Sequence, residues 1–331
     1  MSEPQTEPIC TVDPYQYLQI IPNPDGTITR LTPHPSIPAK PDLDNDSPSP
    51  VVTKDFTVKP NTKTWLRVYL PCEALNHSPS SSTKLPLIVF YHGGGFVILS
   101  VSTSVNHDFC YKLAEFLPAV VVSIGYRLAP EHRLPAAYDD GVEALQWLKT
   151  TDEKWVREFA DFSNCYLMGS SAGGNLAYHV GLRVSRHVDE FDHFKIKGLI
   201  LHHPFFGGSQ MTASEMRLAN DTFLPLSAIN LMWEYALPVG ADQDHEYCNP
   251  MVGDDGADQF DGIKRLRWRI LVKGVNGDPL IDRQKELAEM LKSRGVQVME
   301  HISEGYHAQE FLDKTKYEAL FDVIKDFIQN C

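Results

Sequence analysis

Asn164-Cys165-Tyr166-Leu167-Met168-Gly169-Ser170-Ser171-Ala172-Gly173-Gly174-Asn175 decides the fold. Its first half is a short apolar run that reads as a strand. Residues 172–186 carry a helical pattern. Between them lies Gly169-Ser170-Ser171-Ala172-Gly173, a G-x-S-x-G string at a strand-to-helix turn. A turn this tight needs glycine on both sides of the serine, where the backbone passes close by. The hydroxyl of Ser171 then projects from the strand end. The N-terminus of the following helix aims free N–H groups at the same spot. Ser170 occupies the variable position of the string and reads as structural.

Working outward, strands and helices alternate. Leu85–Tyr91 and Ala119–Ile124 are continuous apolar runs, as strands buried on both faces should be. Thr64–Leu70 alternates like a strand. Further strands are expected at 197–202, 269–274 and 296–302, and helices at 103–116, 136–150, 282–294 and 316–329. This alternation predicts an α/β fold, a mostly parallel central sheet flanked by helices. Residues 72–84 read as a polar loop. Residues 1–50 hold 11 of the 23 prolines and form an arm. Within it a short helix is expected near Tyr15–Ile21, a turn at Asn23–Gly26, a strand at Thr27–Arg30 and an extended loop from Thr32 to Pro50. Residues 205–245 fit no simple βα unit and carry a helical piece around Ile229–Tyr235. The expectation is one domain over 1–331, with the arm and this insertion forming a cap over one end of the sheet.

Composition narrows the function. A formal net charge of −13 argues against nucleic-acid binding, which needs basic surface. No apolar run reaches the ~18 residues of a membrane span, so no stable membrane association is expected. The first residues lack a basic-then-apolar leader, and the expected location is cytoplasmic. The six cysteines are scattered without CxxC spacing, which speaks against a cysteine zinc site.

A second glycine string, His92-Gly93-Gly94-Gly95-Phe96, follows the strand 85–91. Three glycines in a row cost backbone entropy and allow bare N–H groups to approach a ligand. With the N–H of Ala172 they suit a forming oxyanion, each such donor being worth roughly 3–4 kcal/mol of barrier. Neither a P-loop lysine nor a GxGxxG spacing accompanies them. His92 reads as a residue that shapes the loop.

A nucleophilic serine on this kind of turn expects an acid and then a histidine later in the chain. Asp278 follows the strand 269–274, and His307 follows the strand 296–302, so both fall on the rim that carries Ser171. Asp282 also lies there but reads as a charge on a helix N-terminus. His301 sits within a strand pattern, and His202 and His203 precede the acid. The set Ser171, His307 and Asp278 supports an acyl-enzyme mechanism on a small-molecule ester, with no metal or organic cofactor. Phe96, Phe205, Phe206 and Trp233 are candidates for the pocket wall or for plain core.

Taken with Tyr126-Arg127-Leu128-Ala129-Pro130-Glu131-His132 and Pro135-Ala136-Ala137-Tyr138-Asp139-Asp140, these strings resemble the plant carboxylesterases of the hormone-sensitive-lipase branch of the α/β-hydrolases. That branch includes the gibberellin receptor. The resemblance spans roughly residues 12–330. It implies Ser171 as nucleophile, Asp278 as acid and His307 as base. It implies Gly94, Gly95 and Ala172 as oxyanion donors, with Gly93 completing the motif, and a lid made from the arm and 205–245. The receptor lacks the catalytic histidine, whereas His307 is present here. The same branch also implies two other uses of the scaffold: hormone binding with slow cleavage, and dehydration or cyclisation.

Overall fold

The structure, a computed structural model, describes residues 10–31, 35–42, 49–75, 84–187, 194–252 and 259–331. Its strands are β1 (Ile20–Pro22), β2 (Ile28–Arg30), β3 (Val51–Lys59), β4 (Thr64–Pro71), β5 (Leu85–Tyr91), β6 (Val120–Gly125), β7 (Ala160–Ser170), β8 (Ile196–His202), β9 (Arg269–Val275) and β10 (Gln297–Ser303). Its helices are α1 (Pro14–Leu18), α2 (Cys72–Leu75), α3 (Ser104–Phe116), α4 (Ala136–Thr150), α5 (Lys154–Arg157), α6 (Ala172–Arg186), α7 (Ala213–Arg217), α8 (Leu226–Ala236), α9 (Asp261–Leu266), α10 (Ile281–Ser293) and α11 (Lys314–Gln329). No helix among the described residues is long and apolar enough to cross a membrane.

Eight strands form one sheet in the order β10-β9-β8-β7-β5-β6-β4-β3. From β10 to β6 every pairing is parallel, while β4 runs antiparallel to both β6 and β3. The apolar runs of β5, β6 and β8 sit between two layers of side chains. On one face Phe109 and Leu113 of α3 pack with Phe321, Ile324 and Phe327 of α11. On the other, Leu145, Leu176, Ile263 and Leu287 from α4, α6, α9 and α10 close the second core. Burying both faces is what lets a strand dispense with polar alternation.

Strand β3 was not expected from the sequence. Its charged Lys54 and Asp55 interrupt the apolar pattern, as suits an edge strand. Asp55 is used there: it forms an ion pair with Arg67 of β4, whose side chain is buried, at 2.6 Å. Strand β7 begins four residues earlier than expected. The early part is a separate register, broken between Cys165 and Tyr166 against β8. The short helices α5, α7 and α9 are likewise additions, since pieces of four to six residues show too little periodicity to read. The 72–84 loop starts instead with the turn of helix α2, and its residues 76–83 lie outside the described set, as do 32–34 and 43–48 of the extended arm loop.

In the arm the helix expected over Tyr15–Ile21 stops at Leu18, because Ile20 and Ile21 pair with the following strand as β1. Asp13 caps α1 by accepting from Tyr15 and Gln16, and Pro14 stands at the helix start, where its missing N–H costs nothing. Strands β1 and β2 then form a hairpin whose turn uses Gly26 at φ 84°. The arm lies against the 205–245 segment. Ser227 Oγ donates to Val12 O (2.8 Å), and Tyr17 Oη donates to Phe223 O (2.5 Å). Arg30 fastens the hairpin to two loops, reaching Glu131 and the carbonyl of Ala129 (2.7 Å) after β6 and the carbonyl of Val97 (2.6 Å) after β5.

Candidate active site

The chain leaves β7 and enters α6 through Ser171, held at φ 54°, ψ −119°. A non-glycine residue in such a region costs of order 1–3 kcal/mol and persists only where surroundings enforce it. Here main-chain bonds do so, three of them at 3.0 Å or less. Ser171 N donates to His202 O (2.8 Å), while Ser171 O accepts from Gly174 N (2.8 Å) and Phe205 N (3.0 Å). The flanking glycines are required by close approach. A Cβ on Gly169 would lie 1.9 Å from Gly173 O, and one on Gly173 would lie 1.9 Å from Tyr91 O.

The His92–Phe96 loop leaves the neighbouring strand β5. Gly94 and Gly95 have φ of 112° and 59°. A Cβ on Gly94 would strike Ile98 O at 2.1 Å. Among the described residues the N–H groups of Gly94 and Gly95 make no bond to another main-chain group. His92 is buried and stacks on Tyr126 with ring centroids 4.3 Å apart. Its Nδ1 donates to Gly93 O (2.7 Å), and Tyr126 Oη donates to His92 O (2.8 Å). Burial pushes the His92 pKa down to about 4, so it sits in the loop as a neutral ring.

The loops after β9 and β10 bring the acid and the imidazole to the same end of the sheet. His307 Nε2 lies 3.1 Å from Ser171 Oγ. His307 Nδ1 lies 2.8 Å from Asp278 Oδ2. Asp278 is fully buried. Its Oδ1 accepts from Leu280 N (2.9 Å), and Oδ2 also accepts from Gln284 Nε2 (2.9 Å). Burial alone would raise the carboxyl pKa. The neighbouring His307 and the contact with His203 outweigh burial and hold it well below the usual carboxylate range.

The competing residues go elsewhere. Asp282 accepts from Ser214 N (2.7 Å), tying α10 to the 205–245 segment. His301 stays within β10, in register with Lys273 of β9. Ser170 is buried, with its hydroxyl 2.9 Å from His202 Nδ1. Gln284, Lys273 and Glu310 were not anticipated from the sequence. The one available signal for Glu310 was an acid three residues beyond the histidine, in a single 3₁₀ turn (Gln309–Phe311). Ligand-type side chains gather in two overlapping groups, His203/Asp278/His307 and His202/His203/Glu310. Both are occupied by contacts among themselves, and the ammonium of Lys273 lies 3.1 Å from Glu310 Oε1.

Ser171 and His307 open into a cavity of about 270 Å³. Leu18 and Tyr17 of the arm, Phe223 and Met232 of the 205–245 segment, and Leu99 and Phe311 line it together with Gly93, Gly94 and Gly95. Apart from His307, no acidic or basic side chain among the described residues lines it. Phe96, Phe205, Phe206 and Trp233 are not among its walls. They are core: Phe205 stacks flat on Trp233 at 4.6 Å, and all four are buried. Their apolar character is satisfied by packing beneath the site, the plain-core alternative of the two that the sequence left open.

Known proteins agree with this architecture. Residues 88–310 match the α/β hydrolase fold family. Carboxylesterase 20 of Arabidopsis thaliana is 53% identical, covering 98% of this chain and 98% of that protein. The 3-O-acetylpapaveroxine carboxylesterase CXE2 of Papaver somniferum is 44% identical over 96% of this chain and 99% of its own. The gibberellin receptor GID1B of Arabidopsis thaliana is 35% identical over 73% of this chain and 67% of its own. Among solved structures, an esterase of Pyrobaculum calidifontis superposes with a TM-score of 0.68 at 27% identity, covering 84% of each chain. The chain belongs to the α/β-hydrolase family and, within it, to the carboxylesterases, which are serine ester hydrolases.

Proposed function

We propose that this esterase hydrolyses small to medium, uncharged carboxylic esters through Ser171, His307 and Asp278. The observation that carries the reading is the continuous run Ser171 Oγ–His307 Nε2–Asp278 Oδ2, at 3.1 and 2.8 Å, opening on an apolar cavity. His307 takes the Ser171 proton as the oxygen attacks the ester carbonyl. Asp278 fixes the imidazole tautomer and stabilises the imidazolium. The N–H groups of Gly94, Gly95 and Ala172, with Gly93 shaping the loop, receive the oxyanion. His307 then protonates the departing alcohol. Water, activated by the same ring, releases the acid from the acyl-serine.

The chain acts as one domain in this reading, with the arm and the 205–245 segment as its lid. The cavity walls favour a neutral substrate, because an anion buried there would find no cation to pair with. A relative named for an O-acetyl ester fits the same class. The test has two parts. A fluorophosphonate probe should label Ser171, read as a single mass adduct on the peptide that contains it. Hydrolysis of p-nitrophenyl esters from acetate to octanoate should be rapid. A succinate half-ester should fall at least about tenfold below the butyrate in kcat/KM. Failure of both the probe and every ester would overturn the reading.

The lid assignment makes its own prediction. Arg30 holds the hairpin next to the residues that bring Tyr17 and Leu18 to the cavity. Its contacts are partly exposed, so their net worth is discounted to about 1–2 kcal/mol. Arg30→Ala is expected to raise KM for the butyrate ester by about 5- to 20-fold with kcat little changed. Steady-state kinetics checks this. An unchanged KM would remove the arm from the substrate site.

A further inference from the structure

Behind Asp278 lies a buried group of charges that the reaction above does not use. His203 follows β8 and is held at φ 45° by His203 N donating to Lys273 O (2.8 Å). Backbone strain of this kind at a buried residue calls for a reason. The side chain supplies one. His203 Nε2 donates to Glu310 Oε2 (2.8 Å), and Nδ1 lies 3.5 Å from Asp278 Oδ2, the oxygen that also faces His307. The rings of His203 and His307 are 5.3 Å apart. His203, Asp278 and Glu310 are all buried.

We propose that His203, an imidazolium hydrogen-bonded to Glu310 and facing Asp278 at ion-pair distance, is a positioning residue for the ester hydrolysis. It shares Asp278 Oδ2 with His307 and sets how much negative charge that oxygen presents to the base. The proposal rests on the Ser171–His307–Asp278 reading.

Charge balance supports it. The titratable groups around His203 are Asp278, Glu310, Lys273, His202 and His307. Lys273 Nζ has three acceptors, Glu310 Oε1, Ser303 Oγ and Gly274 O, each at 3.1 Å, as an ammonium requires. Two carboxylates against one ammonium leave one negative charge to neutralise. His202 cannot supply the cation, since burial, aided by His203, pushes its pKa down to about 3. Burial also opposes a charge on His203, but Glu310 and Asp278 outweigh it and raise its pKa. An unpaired buried charge is costly, so the proton belongs on His203.

In Glu310→Gln, Asp278 and Lys273 already balance, and His203 gives up its proton. His307 then loses a cation on the near side, and its own protonated form is favoured. The acid limb of the kcat/KM profile for p-nitrophenyl butyrate is expected to move up by about one pH unit. Below the original limb kcat should drop by up to about tenfold, narrowing to a few-fold loss at neutral pH, with KM little changed. Glu310→Asp should restore the limb in part. A measurement on the unaltered enzyme guards against misfolding of these variants. In protein labelled with ¹⁵N-histidine, with signals assigned through single His→Gln variants, both His203 ring nitrogens should show imidazolium shifts from pH 6 to 8. Neutral-ring shifts for His203 would overturn the proposal. So would a folded Glu310→Gln enzyme whose acid limb stays in place. Retained turnover in Ser171→Ala would instead overturn the underlying triad, whatever the state of His203.

Discussion

Ser171→Ala is expected to lower kcat for p-nitrophenyl butyrate by about a million-fold, leaving only the residual acceleration that oxyanion donors and binding provide. The magnitude follows from what the hydroxyl does. In the proposed mechanism it forms the acyl-enzyme: His307 Nε2 lies 3.1 Å away, whereas the hydroxyl of the neighbouring Ser170 is engaged 2.9 Å from His202 Nδ1. Water entering in place of Oγ would lack the orientation that the Ser171 backbone confers, which is worth many orders of magnitude in effective concentration. The variant should fold. Alanine at φ 54° bears the same backbone strain as serine, and the bonds that enforce this turn are all main-chain bonds. Its melting temperature should therefore stay close to that of the unaltered enzyme. Turnover in a pH-stat or absorbance assay above about one-thousandth of the original rate, after removal of contaminating esterase, would overturn Ser171 as the nucleophile. Ligand binding to the apolar cavity should survive, which separates loss of chemistry from loss of the pocket.

Much of this site was legible because its chemistry is written in short strings at strand ends. Ser171 sits where glycine is forced on both sides. Asp278 and His307 each follow a strand whose apolar run can be counted. Parallel strands deliver their following loops to one rim, so sequence position sufficed to bring the three together. The edge strand β3 and the early half of β7 escaped, because charged residues such as Lys54 and Asp55 are stabilised there by pairing across strands rather than by periodicity. The pocket walls escaped for a related reason. Tyr17 and Leu18 sit on a helix too short to show which side faces the site, and Phe223 on a segment with no regular pattern; they are placed by single contacts such as Tyr17 Oη to Phe223 O. Phe205 and Trp233, the more conspicuous aromatics, are absorbed by stacking on one another. Glu310 and Lys273 lie far apart in sequence and meet only through the alignment of β9 with the turn after β10. No local rule reports such a meeting.

Asp278→Asn should lower kcat about ten-thousandfold while leaving the fold largely intact. The size of the effect comes from the direction of the hydrogen bonds around the side chain. Every one recorded at Asp278 is received: Oδ1 accepts from Leu280 N, and Oδ2 accepts from Gln284 Nε2 and from the Nδ1 side of His307. An asparagine must put its NH₂ in one of those two places. Turned toward Leu280, it sets donor against donor in a fully buried position. Turned toward His307, it drives the ring to carry its proton on Nε2. That tautomer cannot accept the Ser171 proton, and the imidazolium formed in the reaction loses its anionic partner. The pH dependence of stability should change as well. The Asp278 pKa is depressed in the folded protein, so its contribution is complete above the unfolded carboxylate range and is lost as pH falls through and below it. The melting-temperature gap between the two proteins should therefore be widest at pH 7 and shrink as pH is lowered toward 3. A gap that stays constant would show that Asp278 is not a depressed carboxylate. An Asp278→Asn enzyme with near-original kcat would show that His307 is held in its working tautomer by some other group.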